Sequence, residues 1–205
     1  MFDSRYAALR AAQPIRGDEG ASFDDHVFAC IVSAALDEAQ ATRSSLAAAL
    51  GLAGAEAARF FAQRFPLDGA PFCLTRAATT EAADEEVLLR ELLAQHLAPD
   101  DEAGFWLVPL VARRAMRDDH LWQDLGLLNR CELNRLLQRH FPALHAGNVN
   151  NMRWKRFFYR QICEMEGFSL CSAPHCSLCV DFAACFGDEE GMSRLAAIAR
   201  AGEIL

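Results

Sequence analysis

The sequence predicts an all-α fold: a single-domain bundle of about seven to nine helices with a C-terminal cysteine-rich metal-binding loop. Three observations carry this reading. Apolar residues recur at i, i+4 spacing in several separate stretches, the rhythm of helices that bury one face. No stretch alternates as a half-buried strand would, and the good helix formers Ala and Leu are abundant. Four of the eight cysteines, Cys171, Cys176, Cys179 and Cys185, crowd into one segment with the spacing C-x4-C-x2-C-x5-C.

At 205 residues, with 52% hydrophobic content, the chain can bury one good core. The expected organisation is one domain over 1–205, with a helical core at 22–165, a cysteine-rich loop at 166–187 and a closing helix at 188–205. No apolar run approaches the roughly eighteen residues needed to span a bilayer. The N-terminal M-F-D-S-R-Y-A-A-L-R lacks the basic segment and apolar core of a secretory signal. The cytoplasm is therefore expected, where clustered thiols more often bind metal than form disulfides. A net charge of −8 opposes nonspecific binding to nucleic acid or anionic lipid, so neither nucleic acid nor membrane is expected as a partner.

Residues 1–13 read as a short helix stopped near Pro14. Ser22 is the expected N-cap of a helix over 23–41, with Asp24 and Asp25 complementing its dipole and Phe23, Val27, Phe28, Ile31, Val32, Ala35 and Leu36 on its buried face. His26 and Cys30 on that helix read as packing or surface residues. The stretch 44–65 reads as two short helices joined at Gly51 to Gly54. It superficially resembles a helix-turn-helix, but its second helix offers only Arg59, Gln63 and Arg64 to a DNA groove. Two prolines and a glycine make 66–80 a loop. Thr80 is the expected cap of a helix with an acidic first turn, Glu81 to Glu86, ending near Leu97 before Pro99.

Asp100, Asp101 and Glu102 open the next helix, which Pro109 should kink or shift. The acidic runs read as first-turn and surface charges. His120 and Trp122 stand in a short aromatic connector, with His120 a structural hydrogen-bonding residue. Asn129 and Glu132 form a capping-box pattern for a helix running to His140. A helix is expected over about 151–166, stopped by Gly167, with Trp154, Phe158, Gln161, Ile162 and Met165 on one face. Arg153, Arg156 and Arg160 share a different face, with Lys155 nearby and Cys163 at its edge. That face is either a solvated basic side or a partner for a thiolate cluster or oxyanion, since guanidinium groups donate forked hydrogen bonds. Residues near 189–201 read as the closing helix.

Thiolates are soft ligands suited to zinc and to iron–sulfur clusters, and four can complete one site. Structural zinc usually joins two separate ligand pairs, whereas here one C-x2-C occurs and all four cysteines share a segment. Ferredoxin-type loops are similarly dense, though more tightly spaced. An iron–sulfur cluster, a zinc ion and thiol redox chemistry all remain open on spacing. Cys163 and His175 are candidate additional ligands, and Asp181 also lies in the loop. No phosphate-binding glycine loop, nucleophile elbow or H-E-x-x-H motif is present, so catalysis is not expected.

The segments H-L-W-Q-D-L-G-L at 120–127 and N-M-R-W-K-R-F-F-Y-R-Q-I-C at 151–163, with the cysteine spacing at 171–185, together resemble the NifQ family of nitrogen-fixation proteins. The resemblance covers about 104–187 and carries no motif in the first hundred residues. It implies a molybdenum carrier in the biosynthesis of the nitrogenase iron–molybdenum cofactor. It implies, too, a Mo–Fe–S cluster of the 3Fe-4S or 4Fe-4S type on Cys171, Cys176, Cys179 and Cys185. Molybdate or another molybdenum species would be the cargo, and the implied partners are the NifE–NifN scaffold and the nitrogenase iron protein. As a hypothesis, molybdate approaches through Arg153, Arg156 and Arg160, with Lys155 beside them. The alternative from the residues alone is a zinc-stabilised helical interaction module.

Overall fold

Asp18, four residues before the expected cap, starts the longest helix: its carboxylate accepts from the Ala21 amide at 2.6 Å. Ser22 therefore lies inside the first turn, where the expectation had placed the cap. A free carboxylate is as good an N-cap as a serine hydroxyl, and the extra turn extends the buried face.

The computed structural model describes residues 4–66, 82–167, 182–186 and 189. Among these residues every regular element is a helix, and there are eleven, more than expected, because several connectors of four to six residues wind into single turns. In order they are α1 (Ser4–Ala11), α2 (Glu19–Thr42), α3 (Leu46–Leu50), α4 (Gly54–Arg64), α5 (Asp84–Gln95), α6 (Glu102–Ala115), α7 (Leu121–Asp124), α8 (Arg130–His140), α9 (Pro142–Gly147), α10 (Trp154–Met165) and α11 (Phe182–Phe186). The expected loop over 66–80, the Thr80 cap and the closing helix fall almost wholly outside the described residues. The helix after that loop starts at Asp84 with Ala83 at the cap position.

The long α2 packs against α1 and α3, and α3 in turn against α6. The α5–α6 pair is extended by α10, which packs on α5. The core these helices enclose is aromatic at one end, where the fully buried Phe60 meets Phe28, Phe61, Phe65 and Trp106 edge-on with ring centroids 5.2–5.9 Å apart. Leu89, Leu92, Leu107, Leu110, Leu136 and Phe158 fill the rest from four different helices. Pro109 lies within α6, and the helix continues through it. The carbonyl that proline leaves without a partner belongs to Phe105, on the exposed side.

Several charges expected in the first turns of helices lie inside. Glu86 is fully buried and accepts from Arg90 at 2.6 Å and Arg113 at 3.0 Å, tying α5 to α6. Asp24 and Asp25 are buried as well, Asp24 against Arg139 and His140 and Asp25 against Arg16. Helical period explains this: Asp24 and Asp25 fall where α2 turns its flank toward α8 and the 12–16 turn, so each brings a cation with it.

Candidate functional site

The helix α10 begins without a side-chain cap and with no acidic residue in its first turn, although anions are the groups a helix N-terminus favours. Its first turn is basic instead, Arg153 at the cap position followed by Lys155 and Arg156. These residues line a cleft of about 680 Å³ whose walls also carry Asp118, Asp119, His120, Tyr159 and Cys163, and to which Ala184 and Glu189 also contribute.

The floor of this cleft is set by ion pairs that the 120–127 motif supplies. Lys155 donates to the Asp124 carboxylate and, at 2.5 Å, to the Arg117 carbonyl. Arg114, 6% exposed, donates to the Asp124 carbonyl and to Glu38, both at 2.5 Å, and Arg117 also pairs with Glu38. Four helices, α2, α6, α7 and α10, are thereby fixed to one another beneath the site. Burial pushes the Asp124 carboxyl above its ordinary value, and the Lys155 ammonium opposes but does not reverse that shift. Burial lowers the Arg114 guanidinium in the same way against the pull of Glu38. The Lys155 charge is thus largely spent on Asp124, while Arg156 is exposed and Arg153 half-buried at the rim.

The cleft is joined mechanically to the cysteine-rich segment. The Arg153 amide, which opens α10, donates to the Cys185 carbonyl at 2.8 Å. Cys185 lies on the single-turn helix α11, packed with Phe186 against the core, so 182–186 is helical where a loop was expected. Two alanines beside Cys185 favour that turn. Arg130 adds a further tether, donating to the Met152 carbonyl at 2.9 Å and approaching the buried Glu189 carboxylate at 3.7 Å.

The structure brings Arg153, Lys155, Arg156, Cys163 and His120 to one cleft and places Cys185 against it. Arg160 is not part of that wall: it turns to Glu164 at 2.8 Å and to the Met152 sulfur at 3.9 Å. Cys171, His175, Cys176, Cys179 and Asp181 lie outside the described residues. Among those described, no three His, Cys, Asp or Glu side chains are grouped to hold a metal ion. A complete thiolate set around Cys185 would draw its other members from 171–179. A half-exposed thiol on a packed helix, its carbonyl anchored, suits that role. Two other described cysteines do not: Cys30 is buried 3.7 Å from the His26 ring, and Cys131 is exposed at the start of α8. His26 in turn meets the Tyr6 hydroxyl at 2.8 Å and Glu132 at 3.3 Å, a packing role as expected. Tyr159 was missed, yet its position three residues after Arg156 and four before Cys163 put it on the cleft face by helical period alone. Burial raises its phenol above the ordinary value.

Comparison with known proteins bears on most of the chain. A family model described as NifQ matches residues 27–187. The chain is 47% identical to a "Protein NifQ homolog" of Sinorhizobium fredii over 175 residues, covering 83% of this chain and 75% of that protein. It is 38% identical to "Protein NifQ" of Rhodobacter capsulatus over 160 residues, covering 78% and 87%. With "Protein NifQ" of Azotobacter vinelandii it shares 45% identity over 106 residues, covering 52% and 54%. No solved structure gives a significant match.

Proposed function

The chain belongs to the NifQ family, and from that membership we propose that it carries molybdenum on a Mo–Fe–S cluster and donates it for assembly of the nitrogenase iron–molybdenum cofactor. Cys171, Cys176, Cys179 and Cys185 would hold the cluster. Bound there, an iron–sulfur cluster supplies bridging sulfides and electrons to which molybdenum can be attached. We assign the protein a carrier's role, not a catalyst's, with molybdate as cargo, the NifE–NifN scaffold and the nitrogenase iron protein as partners, and the cytoplasm as its place of action.

The observation that supports this reading is the uncapped, basic start of α10, which faces a cleft and is hydrogen-bonded through Arg153 to Cys185. The positive end of the helix and two guanidiniums make an anion site that reads a tetrahedral oxyanion by charge and fork geometry. The Lys155–Asp124–Arg114 network holds that wall in place so that the two arginines need not reorganise on binding.

Replacing Arg153 and Arg156 together with Gln is expected to lower molybdenum loading about tenfold, the loss of one to two charge-assisted hydrogen bonds, with iron content unchanged. Equal molybdenum content in the variant and the parent counts against the anion wall. Anaerobically purified chain is expected to be brown, to hold several irons and to bleach in air. A colourless chain with a single zinc would establish the zinc-stabilised interaction module instead.

A further inference from the structure

Arg130, in the first turn of α8, reaches two parts of the chain that flank the candidate site. Its Nη2 donates to the Met152 carbonyl at 2.9 Å and to the Asn151 carbonyl at 3.3 Å. Its Nε stands 3.7 Å from Oε2 of Glu189, whose side chain is 5% exposed. Neither Nε nor Oε2 has a hydrogen-bond partner, so Arg130 balances this buried carboxylate by charge alone. The two ends of that reach meet again through the backbone. Met152 precedes Arg153, whose amide donates to the Cys185 carbonyl at 2.8 Å, and Glu189 follows Cys185 by four residues. The contacts therefore close a ring that runs from Arg130 to Met152 and Arg153, across to Cys185, on to Glu189 and back to Arg130.

The turn inside that ring is held in one shape. The Asn148 side chain bonds both the amide and the carbonyl of Met152, at 2.8 and 2.9 Å, and Asn151 takes the left-handed backbone that asparagine tolerates, with φ 54. Arg153 stands at the junction, since its amide holds Cys185 while its side chain lines the cleft. A shift of Cys185 is thus passed to the start of the basic wall, and a shift of the wall is passed to Cys185.

We propose that Arg130 is the positioning residue that sets Cys185 at a fixed separation from the basic wall of the cleft, acting through the 151–153 backbone on one side and through Glu189 on the other. The proposal rests on the carrier reading for what the two sides hold, a metal centre that includes the Cys185 thiolate and an oxyanion on Arg153 and Arg156. Passing an anion to a metal centre requires the two to be held within about 0.5 Å of a working geometry, by groups that are themselves locked. A guanidinium suits that task because its planar fork fixes several acceptors in one orientation, which a lysine ammonium does not. Arg130 is not among the described residues that line the cleft, so it acts on the site through others. Without its charge the Glu189 carboxylate is left buried and uncompensated, which releases that end of the ring.

The test uses the full chain, purified anaerobically, and compares the parent with Arg130→Gln and Glu189→Ala. Hydrogen–deuterium exchange resolved to the Arg153 amide reads the bond to Cys185 directly. Both variants are expected to exchange that amide about tenfold faster, the scale of one lost charge-assisted hydrogen bond, while α2 and α6 stay protected as in the parent. On the same preparations the molybdenum-to-iron ratio is expected to fall about tenfold at unchanged iron content. A purely structural role would instead speed exchange in α2 and α6 and lower iron and molybdenum together, and that result overturns the proposal. So does an unchanged Arg153 amide in either variant, or an unchanged metal ratio where the amide is freed. Should Arg130→Gln fail to fold, Glu189→Ala, which leaves no buried carboxylate behind, decides by the same two readings. A parent that holds zinc and no molybdenum overturns the carrier reading, and exchange at Arg153 then decides the positioning of Cys185 alone.

Discussion

His140 is 1% exposed, and both of its ring nitrogens face carboxylates, Nδ1 toward Asp101 at 2.6 Å and Nε2 toward Asp24 at 3.0 Å. Asp101 also caps α6 through the Gly104 amide at 2.8 Å, and Arg139 joins Asp24 from the same turn of α8. Removing one member of a buried charged cluster leaves the others desolvated without a partner. His140→Gln is therefore expected to cost about 3 kcal/mol, measured by chemical denaturation. The cluster has a pH signature. Burial pushes the Asp24 carboxyl up, but hydrogen bonds from His140 and Arg139 outweigh it and hold the group below the usual carboxylate range. A depressed folded value means that Asp24 stabilises the fold above the unfolded carboxylate pKa of about 3.9 and loses that contribution as pH falls through the folded value. Asp124 has the opposite sign, since burial raises it: its charged form opposes folding at neutral pH, and that cost fades as pH falls. Asp24→Asn is expected to flatten the acid limb of the stability curve, read as urea midpoints between neutral and acidic pH.

Single turns and their caps decide how the helices meet. Gly126 ends the 120–127 motif with φ +72, and a Cβ there would stand 2.7 Å from the Cys30 backbone oxygen of α2. Both the left-handed backbone and the backbone-to-backbone approach require glycine. Gly126→Ala is expected to destabilise the chain by about 2 kcal/mol or more, seen as a lowered Tm. The start of α8 is a milder case. Asn129 accepts from the Glu132 amide at 3.1 Å, while Glu132 reaches back to Leu128 at 2.8 Å, one residue beyond a regular capping box. Asn129→Ala is expected to cost about 1 kcal/mol by the same measurement. The capping signal was visible in the sequence because it needs only neighbours. The approach of Gly126 to α2 was not, because Cys30 is nearly a hundred residues away.

The whole molecule joins a helical body to a cysteine-rich segment. Glu86 with Arg90 and Arg113, and Arg114 with Glu38 and Asp124, tie its helices to one another. Four thiolates gathered at the proposed cluster would, by contrast, repel unless a cation neutralised them. Removing metal with a chelator is therefore expected to leave helical circular dichroism nearly unchanged while admitting protease cleavage within 166–187. Unfolding of the entire chain on chelation would show the body to depend on the metal.

The helical class, the cap at Asn129, the stop at Gly167 and the cysteine spacing with its family resemblance were determined by the sequence alone, since each depends on local periodicity or on neighbours a few residues apart. The first cap of α2 was misread because Asp18 and Ser22 offer the same chemistry. The burial of Asp24, Asp25 and Glu86 was not legible because a charge shows inward only when its cation, from elsewhere in the fold, is known. The arginine stripe illustrates the division most directly. Sequence period put Arg153, Arg156 and Arg160 together, but only the packing of α10 against the 118–124 turn and α11 kept the first two at the cleft, set Lys155 against Asp124 and brought Cys163 to the same wall. Long-range contacts choose which face of a helix becomes a site, and no local pattern encodes that choice.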